Sequence, residues 1–188
     1  MRKVSLLILF FTISFGLVNL FAIENDRLSE SRMVVKHFAG KLKGELLETL
    51  KNSGLINAIS VCSKNAPMIA DSISQEKGWK VGRVSLRYRN PGNEPDIWEF
   101  TTLMAFMERL VRGEDIASME HHEILNEGEK QVFRYMKAIP VGKPCLNCHG
   151  KQIGPTLKAK LTELYPEDQA IGYSLGEIIG AFSISQPM

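Results

Sequence analysis

The sequence predicts an α+β fold, and three observations carry that expectation. Apolar residues recur at three- and four-residue steps through the first part of the 188-residue chain. From Val81 the apolar period changes to two, and it is two again near the C-terminus. Glycine and proline clusters separate these stretches instead of interrupting them. Helices first and strands afterwards point to a mainly antiparallel sheet with helices packed on it.

Arg27 to Leu50 reads as a helix with Val35, Phe38, Leu42, Leu46 and Leu50 on one side, and Ser53-Gly54 breaks it. Leu55, Ile59, Cys62, Ala66, Ile69 and Ile73 form the stripe of a second helix. Within it Pro67 removes a backbone donor, which predicts a kink or restart near Asn65. Gly78-Trp79 ends that segment. Val84, Leu86 and Tyr88 alternate with Arg83, Ser85, Arg87 and Arg89, so the run from Val81 to Arg89 reads as a strand. After the turn cluster Asn90 to Pro95, Asp96 caps a helix to about Val111 that buries Trp98, Leu103, Phe106 and Leu110. Ile116 to Leu125 and Glu129 to Ile139 read as paired strands joined by Asn126-Glu127-Gly128. Pro155 to Leu164 forms a small helix, and Ile178, Gly180, Phe182 and Ile184 alternate along a final strand. No internal repeat is present.

An apolar content of 44% with 23% charged residues describes an ordinary soluble globule, and the length suits one domain, taken here as 23–188. Met1-Arg2-Lys3 precedes an apolar run from Val4 to Ala22, and Glu24 and Asp26 follow at once. This is the pattern of an export signal, residues 1–22, which would place the mature chain in the periplasm. The alternative is an uncleaved anchor facing the periplasm, because that run just suffices to span a bilayer and Leu20 stands where a small residue is preferred for cleavage. Two of the 23 basic residues lie in this segment, leaving 21 against 21 acidic ones. A neutral mature chain gives no case for nucleic acid, or for a membrane beyond the N-terminal segment itself.

The most informative stretch is Cys145-Leu146-Asn147-Cys148-His149. Two thiols at this spacing can each add to one vinyl group of a single porphyrin, and the adjacent histidine supplies an axial nitrogen. One covalent haem c is therefore the expected cofactor. A redox dithiol would call for a βαβ setting, which is absent from the pattern. A closed zinc site needs four ligands, and the remaining Cys62, His37, His121 and His122 form no matching cluster. A plain disulfide leaves His149 and the export signal unexplained.

The ligand on the other face of the iron sets the chemistry. Met188 is the last residue, and Met104, Met107 and Met136 read as core fillers. His121 and His122 are neighbours on a strand, so they point to opposite faces, and His37 reads as a surface residue. Cys62 lies inside an apolar helical stripe and fits two roles equally, a small buried hydrophobe or a soft thiolate ligand. Arg83, Arg87 and Arg89 on one strand face could hold propionates, as could Lys137 and Lys143, although a solvated strand face is the plainer reading. Trp79 and Trp98 read as packing residues.

A resemblance sharpens this. Val61 to Pro67, Gly78 to Pro91, Phe133 to Lys137, Cys145 to Gly150, Tyr165 to Ala170 and Gly180 to Ser183 are together similar to a family of exported single-haem c-type cytochromes with a PAS-like fold. Similar domains also serve as extracytoplasmic haem sensor modules. The resemblance implies a PAS-like antiparallel sheet with two N-terminal helices and a haem-bearing loop. It also implies His149 and Cys62 as the axial pair and Cys145 and Cys148 as the attachment points. The expected function is low-potential electron transfer or redox response with a redox partner protein. The alternative is a sensor of redox poise or of a diatomic gas such as carbon monoxide or nitric oxide, acting through a signalling partner. No acid–base pair beside the motif marks an enzyme.

Overall fold

The computed structural model describes residues 4–188, with side chains from Ala22 onward. The expected export signal, 1–22, lies almost wholly outside the described side chains. Among the described residues no helix is long and apolar enough to cross a membrane.

The elements follow the order α1 Val4–Ser60, α2 Ala66–Lys77, β1 Lys80–Val84, α3 Ile97–Val111, β2 Glu120–Glu127, β3 Lys130–Pro140, α4 Leu146–His149, α5 Pro155–Leu164 and β4 Ile178–Pro187. The four strands make one antiparallel sheet in the order β1-β4-β3-β2, so the C-terminal strand is central. The α+β class is as expected, and the sheet is consistent with a PAS-like fold.

Strand alternation sorts side chains to the two faces of this sheet. Phe133, Tyr135, Phe182, Ile184 and Val81 pack against Val34, Val35 and Phe38 of α1 and Ile69, Ala70 and Ile73 of α2. Met136, Ala138, Ala181 and Val84 pack against Leu103 and Phe106 of α3 on the other face. The result is three layers, with α1 and α2 on one side of the sheet and α3 on the other.

The helix breaks fall where the sequence places them. Gly54 adopts φ 77° and ψ 179° inside α1, and Gly78 closes α2 in the left-handed region. Asp96 caps α3 through a reciprocal capping box with Glu99. Three strand readings need correction. β1 stops at Val84, not Arg89: the Ser85 N–H goes to the Asn93 carbonyl (3.0 Å) and its hydroxyl to the Ile179 carbonyl (2.7 Å), which takes the chain off the ladder. Gly180 permits that departure, since a Cβ there would meet the Val84 carbonyl oxygen at 2.3 Å. Ile116–Ser118 is a 3₁₀ turn capped by Asp115, so β2 begins later than its apolar pattern suggests. The hairpin turn is Gly128-Glu129, with Gly128 alone at positive φ as a type II′ turn requires, and Asn126 and Glu127 are still paired.

Two polar networks tie the layers together. On the α3 face the buried Arg134 reaches Asp96 (2.7 Å) and Glu99 (3.1 Å), and the Ser183 hydroxyl donates to Glu99 (2.6 Å). On the α1 face Glu120 accepts from Arg32 and from the buried Tyr135 hydroxyl (2.8 Å). The Arg32 hydrogen bond holds the Glu120 carboxyl below its ordinary value of 4.5, and the Tyr135 hydroxyl adds to the effect against the opposing pull of burial. The folded chain therefore releases this proton more readily than the unfolded one. That stabilisation is complete above the unfolded value and is lost as pH falls through the lowered one. Glu120→Gln should lower stability at neutral pH and flatten the acid limb of a urea-midpoint profile; a parallel acid limb in both proteins would exclude the network.

Candidate functional site

The first half of the site is made by a proline. Pro67 has no N–H and its ring crowds the carbonyl four residues back, so α-helical bonding cannot run through this turn. The chain widens instead into a π-turn over Val61–Asn65, in which the Ala66 N–H bonds back to the Val61 carbonyl. The expected kink near Asn65 takes this form. Cys62 sits in the widened turn, and the Asn65 side chain donates to Glu45 (2.8 Å), fixing the turn to α1.

The second half follows β3. A 3₁₀ turn Lys143–Cys145 leads directly into α4, a single helical turn carrying Cys148 and His149. Gly150 ends it and must be glycine, because a Cβ would lie 2.4 Å from the Leu146 carbonyl oxygen. The motif is held from outside by the segment before β4. Tyr173 N–H donates to the His149 carbonyl (2.9 Å) and Gly172 N–H to the Gly150 carbonyl (3.1 Å). Arg89 spans the same junction, with Nη2 on the carbonyls of Cys148 (2.7 Å) and Ala170 (3.2 Å) and Nε on Asp168 (3.0 Å).

His149 is oriented by this frame. Its Nδ1 lies 2.7 Å from the Ala170 carbonyl oxygen, which can only accept, so Nδ1 carries the proton and Nε2 keeps a free lone pair. Burial pushes the imidazole pKa down to about 4, and the Arg89 cation pushes the same way. The ring is thus a neutral, pre-aimed nitrogen donor at physiological pH.

The fold brings Cys62 to the motif. All three cysteines are free and half-buried. Burial raises the Cys62 thiol, Arg83 and Arg89 oppose the rise, and Cys145 adds to it. Burial likewise raises Cys148, with Arg89 opposing and Cys62 adding. The Cys62 thiol thus lies near enough to Cys145, Cys148, Arg83 and Arg89 for each pair to feel the other's charge. Ile59, Ile153, Leu157, Leu161 and Tyr165 pack beside Cys148, and Val141, Ala170, Tyr173 and Ile179 beside Cys145 and Leu146. An open cleft of about 430 Å³ adjoins the motif at Leu146 and Asn147, between the end of α1 and the start of α5.

Arg83 and Arg87 separate. Arg83, on β1, lies over the Phe38 ring (5.9 Å) on the α1 face, where burial lowers its pKa; Cys62 and Tyr165 are the groups that support its charge, with no carboxylate among them. Arg87 lies beyond the end of β1, stacked on Tyr173 (3.7 Å), bonded to the Ile171 carbonyl (3.2 Å) and paired with Glu177 (3.6 Å). The shared arginine face disappears because β1 ends early. Lys137 donates to the Ala117 carbonyl, and Lys143 is exposed. His121 stacks on Trp98 (5.7 Å) and His122 on Phe133 (5.6 Å), both on β2, and His37 is exposed on α1. Met136 is core, but Met104 and Met107 are exposed on α3 and do not fill the core as expected. The residues that sequence reasoning missed in their role are Arg89 as a clamp and Ala170 as the histidine's acceptor. No local pattern marks a backbone carbonyl for that task.

A family model described as Tll0287-like matches residues 22–187. This chain belongs to the Tll0287-like family. Among solved structures, the crystal structure of the cyanobacterial haem-protein Tll0287 matches with a TM-score of 0.68 and 24% identity, over 87% of this chain and 96% of that one. At that identity the likeness shows that the Tll0287-like fold is shared. None of the curated proteins matches.

Arg89→Gln should release the junction between the motif and the 168–173 segment at a cost on the order of 2 kcal/mol, since a charged donor to buried acceptors is lost. Arg89→Lys should not restore it, because one ammonium cannot span three acceptors. Urea unfolding of the purified chain measures both; wild-type stability in either variant would remove Arg89 as the clamp.

Proposed function

We propose that this chain binds one haem c, attached through Cys145 and Cys148 with His149 and Cys62 as axial ligands, and serves in low-potential electron transfer or redox response after export. The observation that carries this reading is the His149 hydrogen bond to Ala170, which leaves Nε2 free on a motif that the fold sets beside Cys62. Membership of a family that takes its name from Tll0287, described as a haem-protein, supports it.

The donor set fits the group. A closed zinc site commonly draws its four ligands from two paired clusters, and the sequence holds one Cys-x-x-Cys pair. The thiols and imidazole instead border a space lined by apolar residues, as a flat macrocycle requires. When bound, the haem would supply a ferric–ferrous couple that thiolate ligation shifts to low potential. The chain's own residues set the conditions for this. Arg83 and Arg89 offset the burial that disfavours a thiolate at Cys62. Arg83, with no carboxylate supporting its charge, is also the arginine available to a propionate; Arg87 is already engaged. Ala170 fixes the His149 tautomer, and Arg89 fixes Ala170 relative to Cys148.

The mature protein from a host with c-type haem maturation should keep its colour through acid–acetone extraction and carry the mass of one haem. Colour that extracts completely would end the attachment. Cys62→Ala should keep the attached haem but change the ferric absorption from a low-spin thiolate form; an unchanged spectrum would remove Cys62 from the iron and leave the attachment standing.

A further inference from the structure

Helix α3 is apolar on two sides. Leu103 and Phe106 pack into the sheet, as an amphipathic helix should. On its outer side Ile97 (88% exposed), Phe100 (50%), Met104 (44%), Met107 (36%) and Val111 (89%) face solvent. Their steps of three and four are those of a coiled-coil seam and run the whole length of the helix, about 21 Å. A solvated helix would carry charge along this line, yet all five of these positions are apolar. Such a patch exposes on the order of 500 Å² of apolar surface, large for a monomer and often a mark of function.

We propose that this face joins two copies of the chain through antiparallel packing of α3 on α3. The register follows from the residues. With Met104 of each copy on the two-fold axis, Ile97 meets Val111 and Phe100 meets Met107 of the second copy. Beside Met107 is a cavity of about 220 Å³, lined by Leu86, Leu103, Tyr173, Ile178 and Ile179, with room for one large side chain. Each Phe100 thus has an apolar socket on the other copy, and every contact occurs twice, as an isologous interface requires. The same register sets the exposed Asp96 at the start of one α3 against Arg112 at the end of the other. Antiparallel helices also oppose their dipoles. Two such patches bury about 1,000 Å², the lower bound of a specific interface. The flanks argue against a lipid surface as the occupant: Glu94, Asp96 and Glu108 adjoin the stripe, and Arg109 is paired to Glu114. Because α3 lies across the sheet from α1 and α2, the pairing leaves Cys62 free.

Sedimentation velocity on the mature, haem-loaded protein tests this. The wild type should be dimeric at micromolar concentration, and Met104→Glu should weaken association by more than about tenfold with unchanged far-ultraviolet circular dichroism. Met104→Cys should form a disulfide-linked dimer under mild oxidation, whereas Met68→Cys, on the exposed side of α2, should not. The Met104→Cys result decides even if the glutamate variant fails to fold. A wild type that stays monomeric at the highest soluble concentration would overturn the proposal. So would a dimer indifferent to Met104→Glu, or a monomer that cosediments with phosphatidylglycerol vesicles through this stripe.

Discussion

The Ala170 carbonyl is the point on which the candidate site depends. It accepts from His149 Nδ1 and from Arg89 Nη2, and Arg89 also holds Cys148 and Asp168. A single backbone oxygen thereby selects the imidazole tautomer and ties the Cys145–His149 turn to the segment before β4. So short a helix as α4 has no cooperative stability of its own, and these contacts join the Tyr173 and Gly172 N–H bonds in keeping its shape.

The other constraint is Pro67. A proline inside an otherwise continuous helical stripe would normally destabilise it, yet here the lost hydrogen bond becomes a π-turn that carries Cys62. Placement of the thiol and local irregularity of the helix are one event. The two halves of the site then rest on different layers, Cys62 on the α1–α2 layer and the motif on the loop after β3. The sheet between α1–α2 and α3 sets their separation, and Arg83, reaching from β1 to the α1 face, is the link between them.

The electrostatics follow the same plan. Burial alone would keep the Cys62 and Cys148 thiols protonated, and Arg83 and Arg89 counter it from inside the fold. Cations placed beside buried thiols cost desolvation, as the lowered pKa of Arg83 shows. That cost makes sense where an anionic partner is to be received.

The sequence by itself determined what depends on near neighbours. The motif spacing, the Asp96 cap, the helix end at Gly78, the bend at Gly54 and the kink before Pro67 are all local, and each appears where the pattern places it. Tertiary structure decided what depends on which chain segment arrives alongside. The alternation through Arg89 promised a longer β1, but Ser85 turned to Asn93 and to the Ile179 carbonyl, which ends the pairing although β4 runs on to Ile178. Arg87 and Arg89 therefore parted, one to Glu177 and one to Asp168. Met104 and Met107 read as core because helical period cannot tell which of two apolar faces a sheet will cover. That Cys62 would come to lie beside Cys145 and Cys148 was a matter of layers packing, because no periodicity within one segment encodes its distance to another.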